Sequence, residues 1–291
     1  MLKTPPRPTW RPFGYVADRE AATPTQLAPI QRLCFNLAPT FTESPGIVII
    51  SHRHRFIFIK TRKTAGSSLE IGLSRICGTE DVITPLSGQR GEEELRRTEG
   101  GIGPINHHKR IGEHCGFKEW RRLLLKGRRA EYGEHSTAAE IRRYIDDTIW
   151  SNYYRFSIER NPWDRALSRY WWQKHRWEEK GRTDFPGLSE YLAWLERHKP
   201  HWISNWDHYA IGDTIAVDRV LHYENLAGEL ESLRRDLAID GDISLPQQRA
   251  KGGLRQEKRH YSEVLSAADR ALIERLCHRE ITAFGYHFEE G

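Results

Sequence analysis

Apolar and polar positions along this chain fall into short unbroken apolar runs, each followed by residues at helical spacing, the pattern of strands that lead into covering helices. Phe56-Ile57-Phe58-Ile59 is one such run, of the kind a parallel strand covered on both faces requires. Leu69, Leu73 and Ile76 then recur at helical spacing. Just upstream, Gly46 to Ile50 and Arg55 to Lys60 read as two strands joined by the polar turn Ser51-His52-Arg53-His54, a hairpin that feeds the segment beyond it. Phe156 to Ile158 is a second central strand, followed by Asn161 as a cap and Pro162 at the first helical position. Val217 to Tyr223 is another strand, and Leu226, Leu230, Leu233 and Leu237 line one face of the helix after it. A last helix opens at Ser266-Ala267-Ala268-Asp269, a capping-box pattern, and turns Leu272, Ile273 and Leu276 inward. Strands alternating with helices predict an α/β domain with a mainly parallel central sheet, in which the carboxyl ends of Phe56–Ile59 and Phe156–Ile158 face one cleft.

Two regions break the alternation. Residues 1–45 hold eight of the 14 prolines and little periodicity, which predicts an extended arm ahead of a domain at 46–291. Residues 87–132 are rich in glycine and charge, with a basic helical piece around Lys118 to Leu125, and read as an irregular insertion near a binding site. No internal repeat is present.

The turn after Phe56–Ile59 carries the chemistry. Lys63-Thr64-Ala65-Gly66-Ser67-Ser68 joins strand to helix, with Gly66 allowing close backbone approach to a ligand, the serines able to cap the helix, and the helix's free N–H groups and dipole favouring an anion. The order differs from a Walker A loop, where the lysine follows the last glycine; Lys63 precedes Gly66 by three residues. Lys60 and Arg62 flank the turn as expected solvated bystanders. The segment Arg160-Asn161-Pro162-Trp163-Asp164-Arg165-Ala166-Leu167-Ser168 forms a second strand-turn-helix, with Ser168 ~9 Å into its helix and within reach of the Arg160 side chain.

These two segments together resemble the 5′-phosphosulfate loop and the 3′-phosphate motif of sulfotransferases that use 3′-phosphoadenosine 5′-phosphosulfate (PAPS), in the carbohydrate and Golgi-type branch and its soluble bacterial relatives. The resemblance spans about Ile47 to Phe288. It implies a P-loop-like, three-layer α/β domain and a transferase moving a sulfuryl group from PAPS to an acceptor hydroxyl. Lys63, Thr64, Ala65, Gly66, Ser67 and Ser68 would hold the 5′-phosphosulfate, with Lys63 neutralising the leaving oxygen, and Arg160 and Ser168 the 3′-phosphate. Glu159 departs from the family pattern, which carries an uncharged residue there, and is expected to pair with a nearby arginine. Glu134-His135-Ser136-Thr137 is similar to the segment where a histidine opens a helix, which puts His135 in the general-base position, with a pKa suited to accepting a hydroxyl proton. Lys251, Gly252 and Arg255 resemble the late basic loop that closes over the nucleotide.

Composition narrows this little. The chain of 291 residues is 38% hydrophobic with a formal charge of +5, enough for one α/β core and suited to anionic ligands. Cys34, Cys77, Cys115 and Cys277 lie far apart, which argues against a disulfide framework or zinc ribbon and for a reducing compartment. No apolar run approaches a membrane span, and the first residues lack a signal-peptide core, so a cytoplasmic, bacterial enzyme is expected. His107, His108, His114 and Cys115 lack the tight spacing of a zinc site and fit an acceptor pocket better; no metal is required. Tyr170, Trp171, Trp172 and Trp177 are expected mostly as core. The hydroxyl-bearing acceptor could be a glycan, a lipid or a natural product; no nucleic-acid partner is expected, and the oligomeric state is not encoded legibly. Two other readings stand beside this one, an ATP-dependent P-loop kinase and a catalytically silent nucleotide-binding protein. Arg160 at a strand end where a magnesium-holding aspartate would be expected weighs against the first.

Overall fold

A computed structural model of the chain describes residues 48–86, 91–108, 117–127, 136–246 and 257–289. The expected arm at 1–45 lies outside them. The first half contains strands β1 (Val48–Ser51), β2 (Phe56–Ile59), β3 (Val82–Ile83) and β4 (Tyr154–Glu159), and helices α1 (Gly66–Ser74), α2 (Glu92–Thr98), α3 (Phe117–Lys126), α4 (Ala138–Tyr144) and α5 (Asp147–Asn152). The long helix α6 (Pro162–Glu178) and α7 (Leu188–His198) follow, then a short α8 (Trp206–Tyr209) and a small ribbon of β5 (Ala210–Ile211) and β6 (Thr214–Ile215). β7 (Arg219–His222), α9 (Leu226–Asp236), α10 (Tyr261–Val264), α11 (Ala267–Leu276) and α12 (His278–Phe284) complete the described chain.

The central sheet has the order β3-β1-β2-β4-β7. β2 pairs with β4, and β4 with β7, in parallel, whereas β1 is antiparallel to both β2 and β3. Four strands therefore run one way and β1 alone runs back, because the short turn after Ser51 allows only a hairpin return. The expected hairpin, both central strands and their shared cleft end are all present.

Strand alternation divides the core into two. Phe56 and Phe58 of β2 join Phe156 and Ile158 of β4, Leu69 and Leu73 of α1, and Leu226, Leu230 and Leu233 of α9 on one face. Ile57 and Ile59 face the other way, against Ala138 and Ile141 of α4, Trp150 of α5 and Trp206 and Tyr209 of α8. Every β2 side chain is fully buried, as its unbroken apolar run requires. The Phe58 and Phe156 rings lie 5.2 Å apart, the first link between the two strands that matter most below.

Of the segment 87–132, the described part holds α3 where a basic helical piece is expected, together with α2, which buries Glu92 and Arg96, and Ile105, which bridges to Ile83 at the sheet edge. Two expectations need correction. The serines do not cap α1, whose N-cap is Ala65 in a left-handed conformation with no side-chain bond. The helix near His135 opens instead at Thr137, which forms a capping box with Glu140. The closing helix α11 does open with the Ser266–Asp269 capping box.

Candidate functional site

The turn after β2 is held open by backbone strain and fixed from beneath. Lys63 and Ala65 both have positive φ, 62° and 61°, a region costly for non-glycine residues. Thr61 donates to the Ile158 carbonyl, and its hydroxyl meets that of Thr64 at 2.7 Å, so the buried Thr64 side chain braces the turn and faces away from the cleft. Because no side chain caps α1, its first-turn amides, including Gly66, Ser67 and Ser68, have no intrahelical acceptor. These amides and the dipole of α1 make the turn an anion-directed feature.

Lys60 and Arg62 are not solvated. Lys60 is 4% exposed and runs under Gly66, where an added Cβ would lie 2.5 Å from its Cγ. Gly66 is thus required by the lysine stem below it. The Lys60 Nζ donates to Ser67 Oγ at 2.9 Å and to Glu70 Oε2 at 3.0 Å. Burial raises the Glu70 pKa, opposed by the charge of Lys60. Arg62 donates to the His201 carbonyl at 3.1 Å and meets His208 Nε2, while Asn205 clamps its backbone with two bonds of 3.1 Å, one to the N–H and one from the Asn205 amide to the carbonyl. Burial and the Arg62 charge hold His208 well below the usual histidine range, so it is a neutral acceptor. A signal for Lys60 was present: Glu70 is a lone acid amid Leu69, Ile71 and Leu73, and a buried acid calls for a cation. Asn205 and His208 lie in no motif.

The turn after β4 is built differently. Asn161 caps α6 by accepting from Trp163 N and Asp164 N, with Pro162 first in the helix. Arg160 donates through Nε to Asp164 Oδ2 at 2.8 Å and stacks over Tyr223 at 4.2 Å. Its Nη1 also donates to the Lys63 carbonyl at 3.1 Å, which brings the two turns together. Ser168, half-buried, follows Asp164 by four residues and so lies on the same strip of α6.

Glu159, the residue that departs from the expected pattern, is fully buried and pairs with Arg165, as anticipated. It also accepts from Tyr209 Oη at 2.7 Å, the Arg160 amide at 2.8 Å and the Asn205 amide at 3.4 Å. Burial raises its pKa against the pull of Arg165. Asn205 thus touches both turns from below. His208 Nδ1 meets the Ser136 carbonyl at 3.4 Å, which ties the residue after His135 to the same network.

His135, Lys251, Gly252 and Arg255 lie outside the described residues, as do His114 and Cys115. His107 and His108 stack at 4.5 Å, and among the described residues no three metal-ligating side chains cluster. Tyr170 and Trp177 are core, as expected, whereas Trp171 and Trp172 are half-buried and Trp172 lies 5.3 Å from Lys63 Nζ. A groove of about 540 Å³ beside α9 and residues 240–245 shares no lining residue with either turn, and its charged lining is Glu231, Asp240, Asp242 and Arg234, the last paired with Glu231 at 3.0 Å.

Two cationic turns at the carboxyl ends of adjacent parallel strands define an α/β protein with an anion-directed crevice at its sheet edge. The chain belongs to the sulfotransferase family, whose model matches residues 47–287. A crystal structure of a sulfotransferase from Alicyclobacillus acidocaldarius is similar at 20% identity, covering 79% of this chain and 98% of that one, with a TM-score of 0.30. None of the curated proteins matches the chain significantly. No helix among the described residues is long and apolar enough to cross a membrane.

Proposed function

We propose that this protein transfers the sulfuryl group of PAPS to an acceptor hydroxyl, in a P-loop-like three-layer domain at 46–291 preceded by an arm. The observation that carries this is the Arg160 bond to the Lys63 carbonyl, which joins the two turns that the family resemblance assigns to the two ends of one nucleotide. The uncapped start of α1, with Ser67 and Ser68, is suited to a 5′-phosphate. Arg160 and Ser168 supply a cation and a hydroxyl for the 3′-phosphate. Lys63, whose Nζ is held near the Trp172 face, stabilises charge on the oxygen that leaves sulfur.

In the reaction the acceptor oxygen forms a bond to sulfur as the sulfur–oxygen bond to the 5′-phosphate breaks, and 3′-phosphoadenosine 5′-phosphate departs with that electron pair. The acceptor proton passes to His135, supported by the anchoring of Ser136 on His208. Positive charge from Lys63, Arg160 and the helix start does the work that a metal does in phosphoryl transfer. Cys77 and Cys277 as buried free thiols accord with a reducing, cytoplasmic setting.

Calorimetry tests this. The protein should bind 3′-phosphoadenosine 5′-phosphate more tightly than adenosine 5′-phosphate, and Arg160→Ala should remove that difference, weakening the former by about tenfold or more, as expected for a lost charge-assisted hydrogen bond. Equal affinity of the native protein for the two nucleotides would refute the proposal. Incubation with PAPS and a panel of glycans, lipids and natural-product alcohols, read by mass gain of one SO₃, then identifies the acceptor.

A further inference from the structure

The positive charge of this chain is concentrated in one short segment. From Phe117 to Arg129 stand six of the chain's 45 Lys and Arg but one of its 40 Asp and Glu, a net +5 that equals the formal charge of the whole chain. Outside the segment, 39 basic residues face 39 acidic ones. The same segment holds α3, and neither core cluster of the sheet takes in a residue of that helix. Trp120, Leu124 and Leu125 are 42%, 78% and 74% exposed, three of the four large apolar side chains that stand exposed among the described residues. Arg121 beside them is exposed as well. Isolated exposed apolar side chains are ordinary, but three within six residues form a patch that calls for a partner.

The sequence of α3 says what kind of partner. Phe117, Trp120 and Leu124 recur at helical spacing, and Lys118, Arg122 and Lys126 recur every fourth residue, an amphipathic pattern whose polar strip is basic. A single ten-residue helix is ~15 Å long, and so small a convex strip falls short of the roughly 800 Å² that a stable protein partner covers. A nucleic acid would use the cations but has no use for two exposed leucines beside them. A bilayer with anionic headgroups uses both. Its headgroup boundary takes up leucines and favours indole rings, while its phosphates meet Lys and Arg. We propose that α3 seats this protein on an anionic lipid surface as a peripheral, interfacial helix. The proposal is independent of the sulfotransferase reading, because it uses none of the groups assigned to the donor or to the acceptor proton.

Flotation of the full chain with lipid vesicles, without nucleotide, tests this. The protein should bind vesicles of phosphatidylcholine mixed with phosphatidylglycerol at least about tenfold more tightly than vesicles of phosphatidylcholine alone, and high salt should remove most of that preference. Leu124→Ser combined with Leu125→Ser should weaken binding to the mixed vesicles by at least about tenfold, the scale of withdrawing two leucines from an apolar medium. Arg121→Glu should weaken it by at least about fivefold, since each basic residue near such a surface contributes about that factor. These positions are exposed, so the urea midpoint of each variant should match that of the native protein. Should the leucine variant not fold, Arg121→Glu keeps the test intact. Equal binding to the two kinds of vesicle, no binding to either, or binding that both variants retain overturns the proposal. A monomer–dimer equilibrium in sedimentation that the leucine variant abolishes, with no vesicle binding, places a second copy of the chain on α3 and overturns it as well.

Discussion

The turns after β2 and β4 share one topology, strand into turn into helix, and meet at the Arg160 bond to Lys63, yet they present positive charge by opposite means. After β2 the helix start is left uncapped, two non-glycine residues, Lys63 and Ala65, adopt positive φ, and a second lysine, Lys60, is sunk beneath the turn and paired with Glu70. The charge offered there combines backbone amides and dipole with the Lys63 ammonium. After β4 the helix start is closed by Asn161, Pro162 is preset for the helix, and charge is offered by the Arg160 side chain. A backbone site is rigid and grips an anion close to the chain, whereas an arginine reaches out and can be modulated by its neighbours. On the proposed reading, the first would hold the group undergoing displacement and the second a group that only needs holding.

The largest effect should come from breaking that division of labour. Lys63→Ala should lower turnover by about 10²–10³-fold with the acceptor found by mass gain, the scale of losing one charge-stabilising donor. Arg160→Ala should act mainly on donor affinity. Steady-state kinetics on the two variants separates these, and a Lys63 variant with full turnover and only a raised KM would remove the distinction between the turns.

Stability offers the next contrast. Asn161→Ala should destabilise the protein by about 1 kcal/mol, the usual cost of an N-cap. Ala65→Gly at the corresponding position should be neutral or stabilising by up to about 1 kcal/mol, because glycine adopts φ near 60° without strain. Urea unfolding of both variants measures this. If Ala65→Gly destabilised as much as Asn161→Ala, the turn after β2 would not be storing strain.

What the sequence disclosed and what it hid follow the range of the interactions. Phe56–Ile59, the Asn161 cap and the Ser266–Asp269 capping box were legible because each depends on residues a few positions apart. The assigned pair of Lys63 and Arg160 was legible as motifs, and their meeting followed from placing both on parallel strands. The floor of the site was not. Arg62 is fixed by Asn205, 143 residues away, and Glu159 by Tyr209 and Arg165, so the burial of these charges is decided by tertiary partners that no local pattern marks. Arg62 and Lys60 read as solvated for the same reason: a short run of cations in a turn looks exposed until the elements beneath it are known. The helix at Glu92–Thr98 was lost to its charged composition, although Arg96 is fully buried against Glu93 and the Thr84 carbonyl.

The smallest effect tests whether the arginine turn is tuned. Asp164 accepts from Arg160 at 2.8 Å and is 24% exposed, so it both aims the guanidinium and neutralises part of its charge. A phosphate arriving at Arg160 must share those donors with Asp164 and also meet its negative charge. Partly exposed ion pairs of this kind are worth ~0.2–1 kcal/mol, so releasing the pair should matter by up to about fivefold. Asp164→Asn keeps the side chain's size and leaves an acceptor oxygen. It should therefore strengthen binding of 3′-phosphoadenosine 5′-phosphate by up to about fivefold and leave adenosine 5′-phosphate unchanged. Calorimetry at two salt concentrations would show the gain shrinking as salt screens it. A loss of affinity in this variant would mean that Asp164 serves to orient Arg160, and that the turn after β4 is as preset as the one after β2.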